Sequence, residues 1–203
     1  MKELFMENKT LWIMLAGLII LTVFMMIKAG KAVKKTNAQK EELMKRLDRM
    51  KMLHENYSEL TVEKIKNDES ENLVAGIAFE IQRKIEESDD LNEAFDELNE
   101  DQKMIYALSW FVDDAKKSVR EFFRQYSRPL TPYVVKATDS FAPVGSRKDI
   151  KRMFDIYDDE NEGVSFFENE VAEMDERLKS TLDFDEMIKN AIEYVRRNAE
   201  KFV

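Results

Sequence analysis

Ten acids fall between Asp155 and Glu176, with no lysine or arginine among them: Asp155, Asp158, Asp159, Glu160, Glu162, Glu168, Glu170, Glu173, Asp175 and Glu176. Three kinds of chemistry suit such a run. It can be a solvated helix face and loop, as most charge runs are. It can be a surface that imitates the phosphate spacing of DNA and so engages a basic protein. It can hold a divalent cation. For the last, FDIYDDENEG followed by VSFFE resembles the entry and loop of an EF-hand, with Asp158, Glu160 and Glu162 at loop positions 1, 3 and 5 and Gly163 at 6. The second half departs from that pattern. Ser165 stands where an aliphatic residue belongs, and position 12 is Asn169, with Glu168 one residue early. A bidentate glutamate at position 12 supplies much of a calcium loop's affinity, so no metal site is expected, and weak calcium binding is a remote alternative.

Other catalytic chemistry is short of parts. The chain has no cysteine, which removes disulfides, thiolate metal sites and cysteine nucleophiles. His54 is the only histidine, too few for a two-histidine metal site and too remote for a triad in the body. The five glycines are scattered, so no phosphate-cradling loop exists. Carboxylates abound, yet a catalytic pair needs a desolvated cleft that shifts their proton affinities, and nothing in the sequence marks one. The expectation is a non-catalytic protein without a cofactor.

The elements that would position the acidic run are helices. All three prolines, Pro129, Pro132 and Pro143, lie within fifteen residues, only Gly76 interrupts residues 31–128, and β-branched alternation is missing. The fold class is all-α. Leu73, Val74, Ile77, Ala78, Ile81 and Ile85 mark one amphipathic helix, and Leu91, Phe95 and Leu98 a short one. Asn99 with Gln102 predicts a capping box. The helix behind it is expected to run unbroken from Met104 to Tyr126. Thr131 before Pro132 predicts a capped start, and Ser146 with Asp149 another; a last helix covers about 183–202.

Upstream, Leu43, Leu47, Met50, His54 and Tyr57 recur at 4-3-4-3 spacing, a narrow seam on a helical stalk. Leu43, Leu47, Met50 and Tyr57 are candidates for pairing with a second copy, although the seam covers only about two heptads; docking on the body or simple solvation is the other reading. His54 is expected to be a tolerated semi-polar residue there, with pH sensing as the alternative.

The first 40 residues have a different character. Thr10 to Ile27 is free of charge, and its apolar residues Leu11, Trp12, Ile13, Leu15, Leu18, Ile19, Ile20, Leu21, Val23, Phe24 and Ile27 lie all around the segment. At 1.5 Å per residue such a helix spans roughly 27 Å, close to the hydrocarbon thickness of a bilayer. Lys28, Lys31, Lys34 and Lys35 follow, suited to lipid headgroups. The positive-inside bias places the N-terminus outside and the body in the cytoplasm, a single-pass protein of the cell membrane. A cleaved signal peptide fits less well, because its n-region would not be net basic and its apolar core is long. The expected organisation is a tail at 1–9, an anchor at 10–27, a basic stalk at 28–67 and an acidic helical bundle at 68–203.

Charge follows this division. Seven of the 32 bases but only two of the 41 acids lie in residues 1–40, leaving residues 41–203 with 25 bases, 39 acids and a net charge of −14. Such a body is repelled by nucleic acid, so direct DNA or RNA binding is not expected.

Leu98–Phe111 (LNEDQKMIYALSWF), Glu121-Phe122-Phe123, and Leu182, Asp183, Tyr194, Val195, Asn198 and Phe202 together resemble a helical domain family named for a bacterial DNA-mimic protein, over about residues 70–203. Where that family carries Asn-Asn-Gly-Gly, this chain has Ala115-Lys116-Lys117-Ser118. The resemblance implies an all-α fold. It also implies an alternative function, an inhibitor or immunity protein that sequesters a nucleic-acid-binding protein or toxin. From the residues themselves, the leading expectation is a membrane-anchored interaction protein whose acidic face, Asp155, Asp158, Asp159, Glu160, Glu162, Glu168, Glu170 and Glu173, binds a basic partner.

Overall fold

The computed structural model describes residues 40–41, 43–158 and 163–203. All regular structure among them is helical, as the absence of β-branched alternation predicts. The chain divides into two compact units, Met1–Lys51 and Met52–Val203. The second unit takes in residues 52–67, which the sequence reading places on the stalk. Leu53, Tyr57 and Ile65 explain why: each is buried in its core.

Helix α1 takes in the described residues 40–41 and 43–57. It is followed by α2 (Val62–Asn67), α3 (Leu73–Glu86), α4 (Leu91–Glu97), α5 (Glu100–Asp114), α6 (Val119–Gln125), α7 (Thr131–Phe141), α8 (Val144–Asp158), α9 (Gly163–Phe166), α10 (Glu168–Thr181) and α11 (Phe184–Arg197), with a 3-10 turn at Ala199–Lys201. Among these described residues no helix is long and apolar enough to cross a membrane. The proposed span at 10–27 and Lys28, Lys31, Lys34 and Lys35 lie outside the described residues.

Local signals set most helix starts. Asp90 accepts from Asn92 N and Glu93 N at 2.9 and 3.1 Å, and Asp183 accepts from Asp185 N and Glu186 N at 3.0 and 2.9 Å. The box at Asn99 is complete: Gln102 N donates to its side chain at 2.9 Å, and Asn99 N donates to the Gln102 side chain at 3.1 Å. Two expected starts differ. Leu130, in helical conformation, precedes α7, so Thr131 lies buried inside the helix and caps nothing. Ser146 lies within α8 and donates its hydroxyl to Pro143 O at 2.8 Å rather than capping.

The expected long helix from Met104 to Tyr126 is two helices. Ala115 closes α5, and Ser118, extended at φ −169°, accepts from Glu121 N at 3.1 Å to start α6. The apolar rhythm runs through the break because both helices face one core. No described residue has a positive φ, so Lys116-Lys117 makes this turn without glycine.

Helix α5 is central and packs on α3 and α7; α11 covers α2, α3 and α7, and α8 joins α6, α7 and α10. Phe111 is fully buried, its ring 5.1 Å from that of Phe122 and 5.8 Å from that of Phe184. The C-terminal segment is tied to the start of α5. Tyr194 donates to Asp101, Lys201 Nζ lies 3.0 Å from Asp101, and Asn99 Nδ2 donates to Lys201 O at 2.8 Å. Where α1 ends, the Tyr57 ring lies on Gly76, at a place where any β-carbon would overlap it. That close approach requires glycine.

Candidate interaction surface

Three acids of the Asp155–Glu176 run have bases after all, supplied by other helices and by the segment after α6. Asp158, at the end of α8, is gripped by Arg128, whose Nε and Nη2 donate to the two carboxylate oxygens at 2.6 Å each. Glu168 takes Arg120 Nη2 at 2.9 Å. Glu170 takes Arg152 Nε and Nη2 at 2.8 and 3.3 Å. Arg177, just past the run, holds Asp149 at 2.9 Å. Hydrogen bonding to these arginines keeps the carboxyls of Asp158 and Glu170 below the usual carboxylate range. Asp155 and Glu173 are exposed, and each adds to the negative field on an arginine, Arg152 and Arg177 respectively. Asp159, Glu160 and Glu162 lie outside the described residues.

Asp175 has a different role from its neighbours. It is 8% exposed and accepts from Ser118 Oγ at 2.9 Å and Arg120 N at 3.0 Å. One carboxylate thus clamps the N-terminus of α6 to α10, as an anion at a helix start should. It is a structural acid inside a run that looks like surface.

For a calcium loop the geometry is poor at both described ends. Both oxygens of Asp158 are committed to an arginine, and Glu168 is directed to Arg120. Among the described residues no group of three or more acidic or histidine side chains is placed to share a metal ion.

A second acidic run, which the sequence reading passed over, stands out in three dimensions. Between Glu86 and Asp101 there are nine acids and no base. Some of them are neutralised by bases outside the run: Arg83, one turn before it, holds Glu87 at 2.7 Å, Lys136 pairs with Glu100, and Lys201 with Asp101. Hydrogen bonds from Lys136 and Tyr133 hold the Glu100 carboxyl below its ordinary range. Asp89, Glu93, Asp96 and Glu97 are exposed on and beside α4, and among the described residues their carboxylates make no ion pair. Leu91, 56% exposed, sits among them.

The seam residues separate. Leu43, Leu47 and Met50 are about half exposed, whereas Tyr57 is buried in the core. Tyr57 is therefore taken up by packing within its own body, and burial, aided by Asp68, raises its phenol to about 12. His54 is half exposed, edge-on to Phe79 at 6.4 Å, with Nδ1 3.7 Å from Glu80 Oε1. Glu80 is buried; its Oε2 takes Arg83, and its Oε1 has no hydrogen-bond partner among the described residues.

One cleft merits chemical scrutiny. Phe123, Tyr126, Ser127, Arg128, Thr131, Phe154, Tyr157 and Asp158 line a space of about 190 Å³, below the ~300 Å³ at which small-molecule sites usually begin. Its one strong charge pair, Arg128–Asp158, is self-satisfied. No protein family, characterised protein or solved structure matches the chain. The likeness of residues 70–203 to the DNA-mimic family therefore rests on the residues quoted for it alone.

Proposed function

We propose that this protein is a membrane-anchored, non-catalytic interaction module that holds a basic protein partner on an acidic surface of its helical body. The uncharged segment at 10–27 and the lysines behind it support the anchor. The observation that carries the binding reading is the α4 surface: Asp89, Glu93, Asp96 and Glu97, exposed and without an ion pair to any described residue, around the exposed Leu91. Charge of one sign steers a basic partner and selects against acidic ones, while a central apolar side chain supplies dry contact. The Asp155–Glu176 face is the lesser contributor, because arginines already share Asp158, Glu168 and Glu170. The same pairing weakens the DNA-mimic alternative, which needs carboxylates as free of cations as phosphates are.

The test uses the full chain in lipid nanodiscs. Proteins retained at low salt and released by moderate salt are compared between wild type and the quadruple variant Asp89→Lys, Glu93→Lys, Asp96→Lys, Glu97→Lys. Loss of the retained partner in that variant, with retention kept in Asp155→Lys, Glu173→Lys, is the expected result. An unchanged retained set in the quadruple variant rejects the α4 surface. Topology reporters fused to the C-terminus test the anchor: activity confined to the exported format would overturn the cytoplasmic assignment.

A further inference from the structure

Glu80 is the only buried acid of α3, and it is short of a cation. Its Oε2 takes Nε and Nη2 of Arg83 at 2.9 Å each, but the same guanidinium sends Nη1 to Glu87 at 2.7 Å. Two carboxylates therefore share one positive charge, and Oε1 of the buried one has no hydrogen bond among the described residues. A buried oxygen left bare in this way is unfavourable. His54 Nδ1 faces it at 3.7 Å, too long for a hydrogen bond and close enough for a small turn of the ring to make one. The seat of Tyr57 on Gly76 explains the meeting. One turn back along α1 from Tyr57 is His54, and one turn on along α3 from Gly76 is Glu80. The His54 ring rests edge-on to Phe79, and its side chain is 55% exposed, so a proton from solvent reaches it in place.

The other charged groups around the pair have different places. Lys84, one turn beyond Glu80, is exposed and makes no ion pair among the described residues. Asp68, from the segment after α2, acts on the Tyr57 phenol. On α1 itself Lys51 and Glu55 stand three residues before His54 and one after it, each engaged in a contact of its own.

We infer that His54 is an acid-operated latch: its protonation supplies the missing cation to Glu80 Oε1 and tightens the end of α1 on α3. A neutral imidazole leaves the carboxylate as it is, whereas an imidazolium adds a charge and a donor that only the folded chain can use. The stabilisation is therefore full below about pH 6.5, where a free imidazole charges, and is lost as pH rises above it. Because α1 is the chain's entry into the body, acid fastens that entry and a rise in pH loosens it. The inference depends neither on the anchor nor on the reading of α4 as a binding surface.

Since His54 is the only histidine, its substitution removes every imidazole from the chain. Amide hydrogen exchange, read by mass spectrometry on the full chain in lipid nanodiscs and corrected for the intrinsic effect of pH, reports how firmly α1 is held. At about pH 5.5 the segment 52–60 should exchange about tenfold more slowly in wild type than in His54→Gln, and at about pH 8 the two should agree within about twofold. Helix α5 should exchange alike in both. Adding His54→Gln to Glu80→Gln should then change nothing in acid. His54→Lys, charged at both pH values, should exchange slowly at both, and this variant decides the matter if Glu80→Gln loses the protection of α5. Equal exchange of wild type and His54→Gln in acid overturns the inference. A difference of the same size at both pH values assigns His54 to packing on Phe79 and also overturns it, as does a difference in acid that survives Glu80→Gln.

Discussion

Asp175→Ala separates a structural acid from a surface acid by the sign of its effect. In a body of net charge −14, deleting an exposed acid relieves repulsion, so stability should hold or rise slightly. Asp175 is buried and accepts two hydrogen bonds, from Ser118 Oγ and Arg120 N. A hydrogen bond to a charged group contributes about 1.5–3 kcal/mol, and alanine would leave both donors unpaired where water enters poorly. Relief of repulsion returns part of this, so a net loss of about 3 kcal/mol is expected. At about 2–4 °C per kcal/mol for a domain of this size, Tm falls by about 6–12 °C. Asp175→Asn keeps one acceptor and should fall between alanine and wild type. Glu173→Ala, two residues away and exposed, should stay within about 0.5 kcal/mol of wild type. The assay is thermal and urea unfolding followed by far-ultraviolet circular dichroism. An Asp175→Ala protein as stable as wild type, or more so, would falsify the clamp.

Gly76→Ala should cost about 1–3 kcal/mol, because the new methyl overlaps the Tyr57 ring and one of the two must move; Gly76→Ala combined with Tyr57→Ala should recover part of the loss, and additivity in that pair would refute the contact. The carboxyls of Asp158 and Glu170 are depressed in the folded state, so their contribution is full above the ordinary carboxylate pKa of about 4 and is lost as pH falls through their lower folded values. The urea midpoint of wild type should accordingly exceed that of Asp158→Asn, Glu170→Gln at neutral pH, and the difference should close below about pH 4; a gap that persists or widens in acid rejects the pairing.

What could be read from the sequence follows the range of each interaction. The Asn99–Gln102 box and the apolar stripe of α3 are contained in a few neighbouring residues, and they stand as expected. The break at Ser118 was hidden, because a serine cap between Lys117 and Val119 leaves the core-facing rhythm undisturbed. The arginine partners were invisible for a different reason. Arg128–Asp158 and Arg120–Glu168 close over separations of 30 and 48 residues, set only by how α6, α8 and α10 pack. Asp175 had a signal that Glu173 lacks, since it lies four residues after Val171 and three before Leu178 on the buried face of α10, but its partner Ser118 is 57 residues away and could not be read. The α4 surface had a signal in the sequence, the nine acids from Glu86 to Asp101, but its significance depends on which of them tertiary contacts neutralise.

The seat of Tyr57 on Gly76 also fixes how the body would bear tension. If the anchor holds while a bound partner drags the body away, force enters the fold through the end of α1. The first resistance it meets is Leu53 and Tyr57, and the next is α2, held by Ile65 and by the Arg196 guanidinium on the Asp68 carbonyl. These contacts follow one another along the chain from the point where the force enters. The acidic surface on α4 lies further along the chain than all of them, so losing the Tyr57 seat lengthens the leash at a place remote in sequence from the surface that binds.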